Sequence, residues 1–135
     1  MGVSRGAAPS CLFVYGTLRR SFNNTYACRL AQQGEWLGEA RVAGKLYNLG
    51  HYPGMKLASS DEQAWVVGEL YRLPDDPESA ARLLAELDDY EAEEFERVAA
   101  VVEAVGEVPV QVWIYEYSVP VDEALRIRSG DYLRQ

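Results

Sequence analysis

The hydrophobic positions of the chain fall into short strand-like runs interrupted by two helical patterns. Leu12-Phe13-Val14-Tyr15 is apolar without alternation, as suits a strand covered on both faces, and it stops abruptly at Gly16-Thr17 before the polar Arg19-Arg20. Gly16 is the residue type that lets backbone approach a ligand or take positive φ, so the junction reads as a buried strand delivering a tight loop. A pocket in this protein is expected to use that loop as a wall, although the same Gly-Thr pair also serves as a plain strand–turn junction. Residues 24–32 read as a short helix, with Asn23 or Asn24 capping its first amides. Over 36–49, Gly34, Gly38, Gly44 and Gly50 punctuate strand-like pieces and suggest bends or bulges in a curved sheet, of which 44–49 alternates best. His51-Tyr52-Pro53-Gly54 reads as a turn, because Pro53 fixes φ and Gly54 accepts the conformation after it. The polar stretch 59–63 then leads into a strand over about 64–73, with Val67, Glu69, Tyr71 and Leu73 on one side and Val66, Gly68, Leu70 and Arg72 on the other.

The second helix is the most sharply specified element. Asp76 can cap it, Pro77 suits the first helical position, and Ala80, Leu83, Leu84 and Leu87 fall at i, i+3, i+4 and i+7, so the helix is expected to run to about Tyr90. Continuing the stripe of Ala80, Leu84 and Leu87 puts Glu91 on the buried side and Asp89 on the solvated side. A carboxylate in that place meets desolvation and the negative end of the helix dipole, both of which raise its pKa and make it a stronger base. If the helix instead ends at Asp89, Glu91 joins its acidic neighbours in water. Phe95–Ala104 and Val108–Tyr117 read as a closing hairpin through Val105-Gly106-Glu107. In its second strand Val108, Val110, Val112 and Ile114 form an apolar face, and Gln111, Trp113, Tyr115 and Tyr117 an amphipathic one suited to a pocket wall or to packing under a helix. The tail, with Ser129-Gly130-Asp131-Tyr132, has no clear periodicity.

Composition narrows the class. A chain of 135 residues that is 48% hydrophobic fits one domain with a real core, 11–135, preceded by a leader over 1–10 that reads as disordered. The net charge of −8 argues against a nucleic-acid backbone or an anionic membrane as partner. Cys11 and Cys28 have neither a CxxC partner nor a histidine cluster, so they read as buried reduced thiols, which suggests a cytoplasmic setting. His51 is the sole histidine, and any histidine-based mechanism must run through it. No metal-ligand spacing occurs, and no apolar run reaches membrane-spanning length.

Four ordered blocks, Tyr15-Gly16-Thr17-Leu18, Leu49-Gly50-His51-Tyr52-Pro53-Gly54, Val67-Gly68-Glu69-Leu70-Tyr71 and Leu87-Asp88-Asp89-Tyr90-Glu91, resemble the gamma-glutamylcyclotransferase-like family. The resemblance runs from about Leu12 to the C-terminus, and Ser129-Gly130-Asp131-Tyr132-Leu133 is similar to the tail of a small bacterial subgroup related to gamma-glutamylamine cyclotransferases. It implies an α+β fold: a small single domain with a mainly antiparallel, barrel-like mixed sheet, two or so flanking helices, and the 15–18 loop and acidic helix end facing one cavity. It also implies an enzyme acting on a small-molecule gamma-glutamyl amine or amide. In that reaction the substrate's α-amine attacks its own γ-carbonyl and releases 5-oxoproline and a free amine. The ammonium must first lose a proton to a base, and the oxyanion and α-carboxylate need donors. Holding the glutamyl chain folded supplies much of the rate, with effective molarities up to about 10⁵ M or more. Such chemistry requires no cofactor, metal or covalent intermediate.

By the resemblance Glu91 matches the proton acceptor, and Tyr15, Gly16, Thr17 and Leu18 match the loop that holds the glutamyl part through backbone amides and side chains. Tyr115 stands where the family has a tyrosine near the cavity, or is a packed aromatic. Arg97 follows the helix as a family arginine does, or pairs with the acidic run. His51 and Pro53 belong to a family turn and read as structural. Phe95 departs from the pattern, replacing a frequent tyrosine, and some relatives lack the acid at the position of Glu91. The alternative function, from another class, is a non-catalytic binding module that keeps the pocket for an amino-acid-like ligand or a protein partner. The residues name neither the leaving group nor the oligomeric state.

Overall fold

Strand β1 (Cys11–Val14) is buried at all four positions, because its two faces serve two different cores. Phe13 packs inside the sheet with Val42, Leu46, Val66, Leu70, Val112 and Ile114. Leu12 and Val14 face outward and are covered by Leu30 of helix α1 (Thr25–Gln33) and by Leu83, Leu84 and Leu87 of helix α2 (Pro77–Glu91). A strand with both faces dry has no polar side to alternate with, which explains its unbroken apolar run. These statements come from a computed structural model that describes residues 9–58, 64–91 and 93–135. Of the leader, 1–8 lies outside the described residues, as does the polar stretch 59–63; the Ser10 carbonyl accepts the Leu73 N–H at 2.9 Å.

Around β1 the sheet closes on itself. Strand β2 (Glu35–Asn48) pairs with β4 (Trp65–Arg72), β4 with β1, β1 with β6 (Val108–Tyr117), β6 with β5 (Phe95–Ala104), and β5 returns to β2. Only the β1–β6 contact is parallel in this ring, so the result is the mainly antiparallel, barrel-like mixed sheet with two helices that the resemblance implied. Bending is local: the β2–β4 register shifts between Trp36 and Gly38, where Gly38 takes φ 120°. Beyond that bulge, the far end of β2 leaves β4 to pair with β3 (Pro53–Leu57) and β7 (Arg126–Ile127).

Helix α2 starts where the cap predicts, with Asp76 Oδ2 accepting the Ser79 amide at 3.1 Å, and it runs through Glu91 rather than ending at Asp89. The Asn24 side chain caps α1, accepting from Ala27 N at 2.8 Å. The closing hairpin has the predicted bounds, and no described helix is long and apolar enough to cross a membrane.

Two expectations are corrected. Pro53 and Gly54 are not a turn but the start of β3, pairing as Asn48↔Pro53 and Tyr47↔Gly54; the turn lies just before, closed by Leu49 N donating to Tyr52 O at 3.0 Å. Proline is tolerated there because the first residue of an edge strand needs no ladder N–H. Cys11 is buried as expected, but Cys28 is exposed, since α1 turns Ala27 and Leu30 inward and Cys28 lies on the opposite side. The tail contains the short strand β7 and two 3-10 turns, Glu123–Leu125 and Tyr132–Arg134, pieces too short to show a period.

Candidate functional site

The barrel ends in a cavity of about 390 Å³. Phe13, Val14 and the 15–18 loop form one wall, His51, Tyr52 and Pro53 a second, and Tyr90, Glu91, Phe95 and Tyr115 the third. The loop is held from several directions. Arg19 N closes its turn on Gly16 O at 3.1 Å, and Asn24 Nδ2 donates to Thr17 O at 2.8 Å, so one asparagine both caps α1 and fixes the loop. The Thr17 hydroxyl and the Tyr90 hydroxyl share a 2.7 Å hydrogen bond, which joins the loop to the end of α2. Tyr15 donates its hydroxyl to the Tyr115 carbonyl at 2.6 Å.

Gly16 is required by proximity rather than by dihedral angle. Its φ is not positive, but a Cβ there would meet Pro53 Cγ at 2.7 Å. Loop and β3 therefore touch through a glycine and a proline ring, and any larger residue would separate two walls of the cavity.

Glu91 is the last residue of α2, on the stripe that carries Leu84 and Leu87, and among the described residues it is the one carboxylate lining the cavity. No described lysine or arginine joins it there. Burial, and then the charge of Asp88, raise its pKa from an ordinary 4.5 to about 7. Asp88 points away from the cavity toward β5 and β6. It accepts the Tyr115 hydroxyl at 2.6 Å and the Arg97 guanidinium at 2.8 and 3.2 Å, while that guanidinium lies 4.4 Å from the Trp113 ring. Burial and the Asp88 bond push the Tyr115 phenol well above its usual range, and burial does the same for Tyr15, so both remain neutral donors. A carboxyl that titrates near neutrality in a largely apolar cavity can take a proton from a bound ammonium and return it, and hydroxyls and backbone amides are the available donors. Among the described residues no three His, Cys, Asp or Glu side chains converge as a metal ion would need.

The structure brings Glu91, Tyr15, Gly16, Thr17, Leu18, Tyr115, His51 and Pro53 to the one cavity. Their side chains differ in what they present to it. Leu18 is buried in the outer core, and the hydroxyls of Tyr15 and Tyr115 are already bonded within the protein. Arg97 does not line the cavity; it pairs with Asp88 of the acidic run. Sequence reasoning did not single out Phe13, Val14, Tyr52, Tyr90 or Phe95 as lining residues. Tyr90 carried a signal, its place beside Glu91 on the helix end, whereas Tyr52 and Phe95 meet at 5.9 Å only through the fold. Also unmarked was Asp88, whose bonds reach residues on two other strands.

Comparisons agree across sequence and structure. The family model described as Gamma-glutamyl cyclotransferase, AIG2-like, matches residues 12–134. The gamma-glutamylcyclotransferase family protein YtfP of Escherichia coli strain K12 is 31% identical over 129 residues, covering 90% of this chain and 95% of that protein. Among solved structures, an AIG2-like protein from Mus musculus superposes with a TM-score of 0.70 at 21% identity, over 93% of this chain and 88% of that one. YkqA from Bacillus subtilis gives a TM-score of 0.68 at 25% identity, over 92% of this chain but 39% of that longer one.

Proposed function

The chain belongs to the gamma-glutamyl cyclotransferase, AIG2-like, family, and on that premise we propose that it cleaves a small gamma-glutamyl amine or amide by internal cyclisation, with Glu91 as general base. The observation that carries this reading is that Glu91 and the 15–18 loop line the same cavity, in which Glu91 is the one carboxylate among the described residues.

In this reading the glutamyl part lies along the loop, and the Glu91 carboxylate attracts the α-ammonium and accepts one of its protons. The freed amine nitrogen attacks the γ-carbonyl carbon, forming the ring C–N bond and an oxyanion. The proton held by Glu91 passes to the departing nitrogen, the bond to that nitrogen breaks, and the second proton of the ring nitrogen returns through Glu91 to the departing amine, so that 5-oxoproline and a protonated amine leave and the carboxylate is restored. A base with a pKa of about 7 suits both halves of this shuttle, since it takes and gives protons near neutral pH. With no lysine or arginine among the described residues lining the cavity, the α-carboxylate and oxyanion are held by the loop amides of Gly16, Thr17 and Leu18 and by the Thr17–Tyr90 hydroxyl pair.

The test is release of 5-oxoproline from a panel of gamma-glutamyl amines and amides, measured for the protein and for Glu91→Gln. The expected loss in the variant is roughly 10²-fold or more, the scale of a positioned acid–base group. Equal release by the variant would remove Glu91 from its role. No release across the panel, with 5-oxoproline still bound, would make the protein a binding module.

A further inference from the structure

Arg19 follows the cavity loop directly, yet its side chain points into the protein and is 3% exposed. A guanidinium cannot shed its charge, so burying it is tolerated only with charged partners at bonding distance. Two are supplied from distant parts of the chain: Arg19 Nε donates to Glu69 Oε2 at 3.0 Å and Nη1 to Asp131 Oδ1 at 2.8 Å. The remaining acceptor capacity is also used. Glu69 Oε1 accepts the Arg20 amide at 2.7 Å, and Asp131 Oδ1 accepts the Leu133 amide at 3.0 Å. The tail carrying Asp131 is itself seated on β4, because Gly130 O accepts Val67 N at 2.8 Å. Gly130, at φ 72°, lies where a Cβ would strike Trp65 O at 2.0 Å.

We infer that Arg19 is a positioning residue, and that the C-terminal segment around Asp131, acting through it, sets the geometry of the 15–18 loop and hence the affinity of the cavity for its ligand. None of the three side chains lines the cavity, so none is needed for contact with a ligand. What they do is fix both ends of the loop. Its start is carried by β1, and its end is tied to β4 through Glu69 and to the tail through Asp131. Asp131 also pairs with the exposed Arg134, whose Nε lies 3.7 Å from Oδ2, and Glu69 stays on Arg19 when Asp131 is neutralised, so Asp131→Asn leaves a paired Arg19 and a chain that folds.

The functional half of this inference rests on the cyclotransferase reading; the structural half does not, and Asp131→Asn separates them. Hydrogen exchange of the ligand-free protein is expected to quicken at 16–20 by about tenfold, the scale of one charged hydrogen bond, with α2 and the β5–β6 hairpin unchanged. On a turned-over gamma-glutamyl substrate, KM is expected to rise about tenfold with kcat within about twofold, because the loop holds substrate while the base sits on another element. An unchanged pH profile would accompany it, as Glu91 is untouched. Faster exchange over the whole fold, or at 16–20 with KM unmoved, would overturn the inference and leave a purely structural cluster. If the unaltered protein turns over nothing, the reaction reading fails, and local exchange at 16–20 still decides whether the tail holds the loop.

Discussion

Replacing Glu91 by glutamine tests the site without any knowledge of the substrate. The carboxyl has a pKa of about 7 in the folded protein against an ordinary 4.5, so over that interval the folded state holds a proton that the unfolded state has lost. Below pH 4.5 both states are protonated and the residue contributes no pH dependence. As pH rises from 4.5 to 7 the unfolded state gains stability from ionising where the folded state does not, and above 7 the full penalty is present. The difference between about 7 and 4.5, at roughly 1.4 kcal/mol for each pH unit, makes a ceiling of about 3 kcal/mol. One side of the carboxylate opens onto the cavity, and water there reduces the penalty, so about 2 kcal/mol is the working expectation. Glutamine has the same shape and no charge to desolvate. Urea denaturation of the protein and Glu91→Gln is therefore expected to coincide near pH 4, and to separate by about 2 kcal/mol in favour of the variant at pH 8.5. Titrating groups that do not interact with Glu91 cancel in that difference. A variant no more stable than its parent at pH 8.5 would show a solvated carboxylate and refute the reasoning that makes Glu91 a base; a gap already present at pH 4 would place the effect in packing.

Three further expectations follow from individual contacts. Asp88→Asn removes the charge that helps raise Glu91, so the acid limb of kcat/KM against pH is expected to move below 7, by less than burial alone maintains. Gly16→Ala forces a Cβ to within 2.7 Å of the Pro53 ring, and urea denaturation is expected to show a loss of about 1–3 kcal/mol together with weaker 5-oxoproline binding. Tyr15→Phe leaves the Tyr115 carbonyl without its 2.6 Å donor, at a cost of about 1–3 kcal/mol in urea denaturation, with the pH profile unchanged.

Much of this fold was legible because its elements advertise themselves locally. Asp76 and Pro77 mark the start of α2, and the apolar stripe through Leu84 and Leu87 gives its phase, which places Glu91 on the inner side. The β5–β6 hairpin likewise follows from two β-rich runs around a glycine. Strand β3 was missed because Pro53 and Gly54 have a stronger local meaning as a turn than as an edge strand, and only pairing with β2 overrides it. Cys28 was misplaced because a short helix with two inward residues leaves its phase poorly marked.

What no local pattern reveals is which polar residues answer one another across the fold. Glu69 sits in a strand that is buried on both faces, where a carboxylate is intelligible only if a cation meets it; Arg19 is 50 positions away and Asp131 lies 112 from Arg19. Arg97 shows the same limit from the other side. Its ordinary reading, an ion pair with the acidic run, describes the contact, yet the partner is Asp88, the residue whose charge bears on Glu91 and whose carboxylate holds Tyr115. Tyr115 in turn offers its carbonyl to Tyr15 at the root of the loop. A chain of contacts thus runs from the half-buried Arg97 to the cavity wall, and Asp88, which does not line the cavity, raises the proton affinity of Glu91 within it. The electrostatics of the site is in this sense a property of β5, β6 and α2 packed together, and it becomes readable only when those three elements are in place.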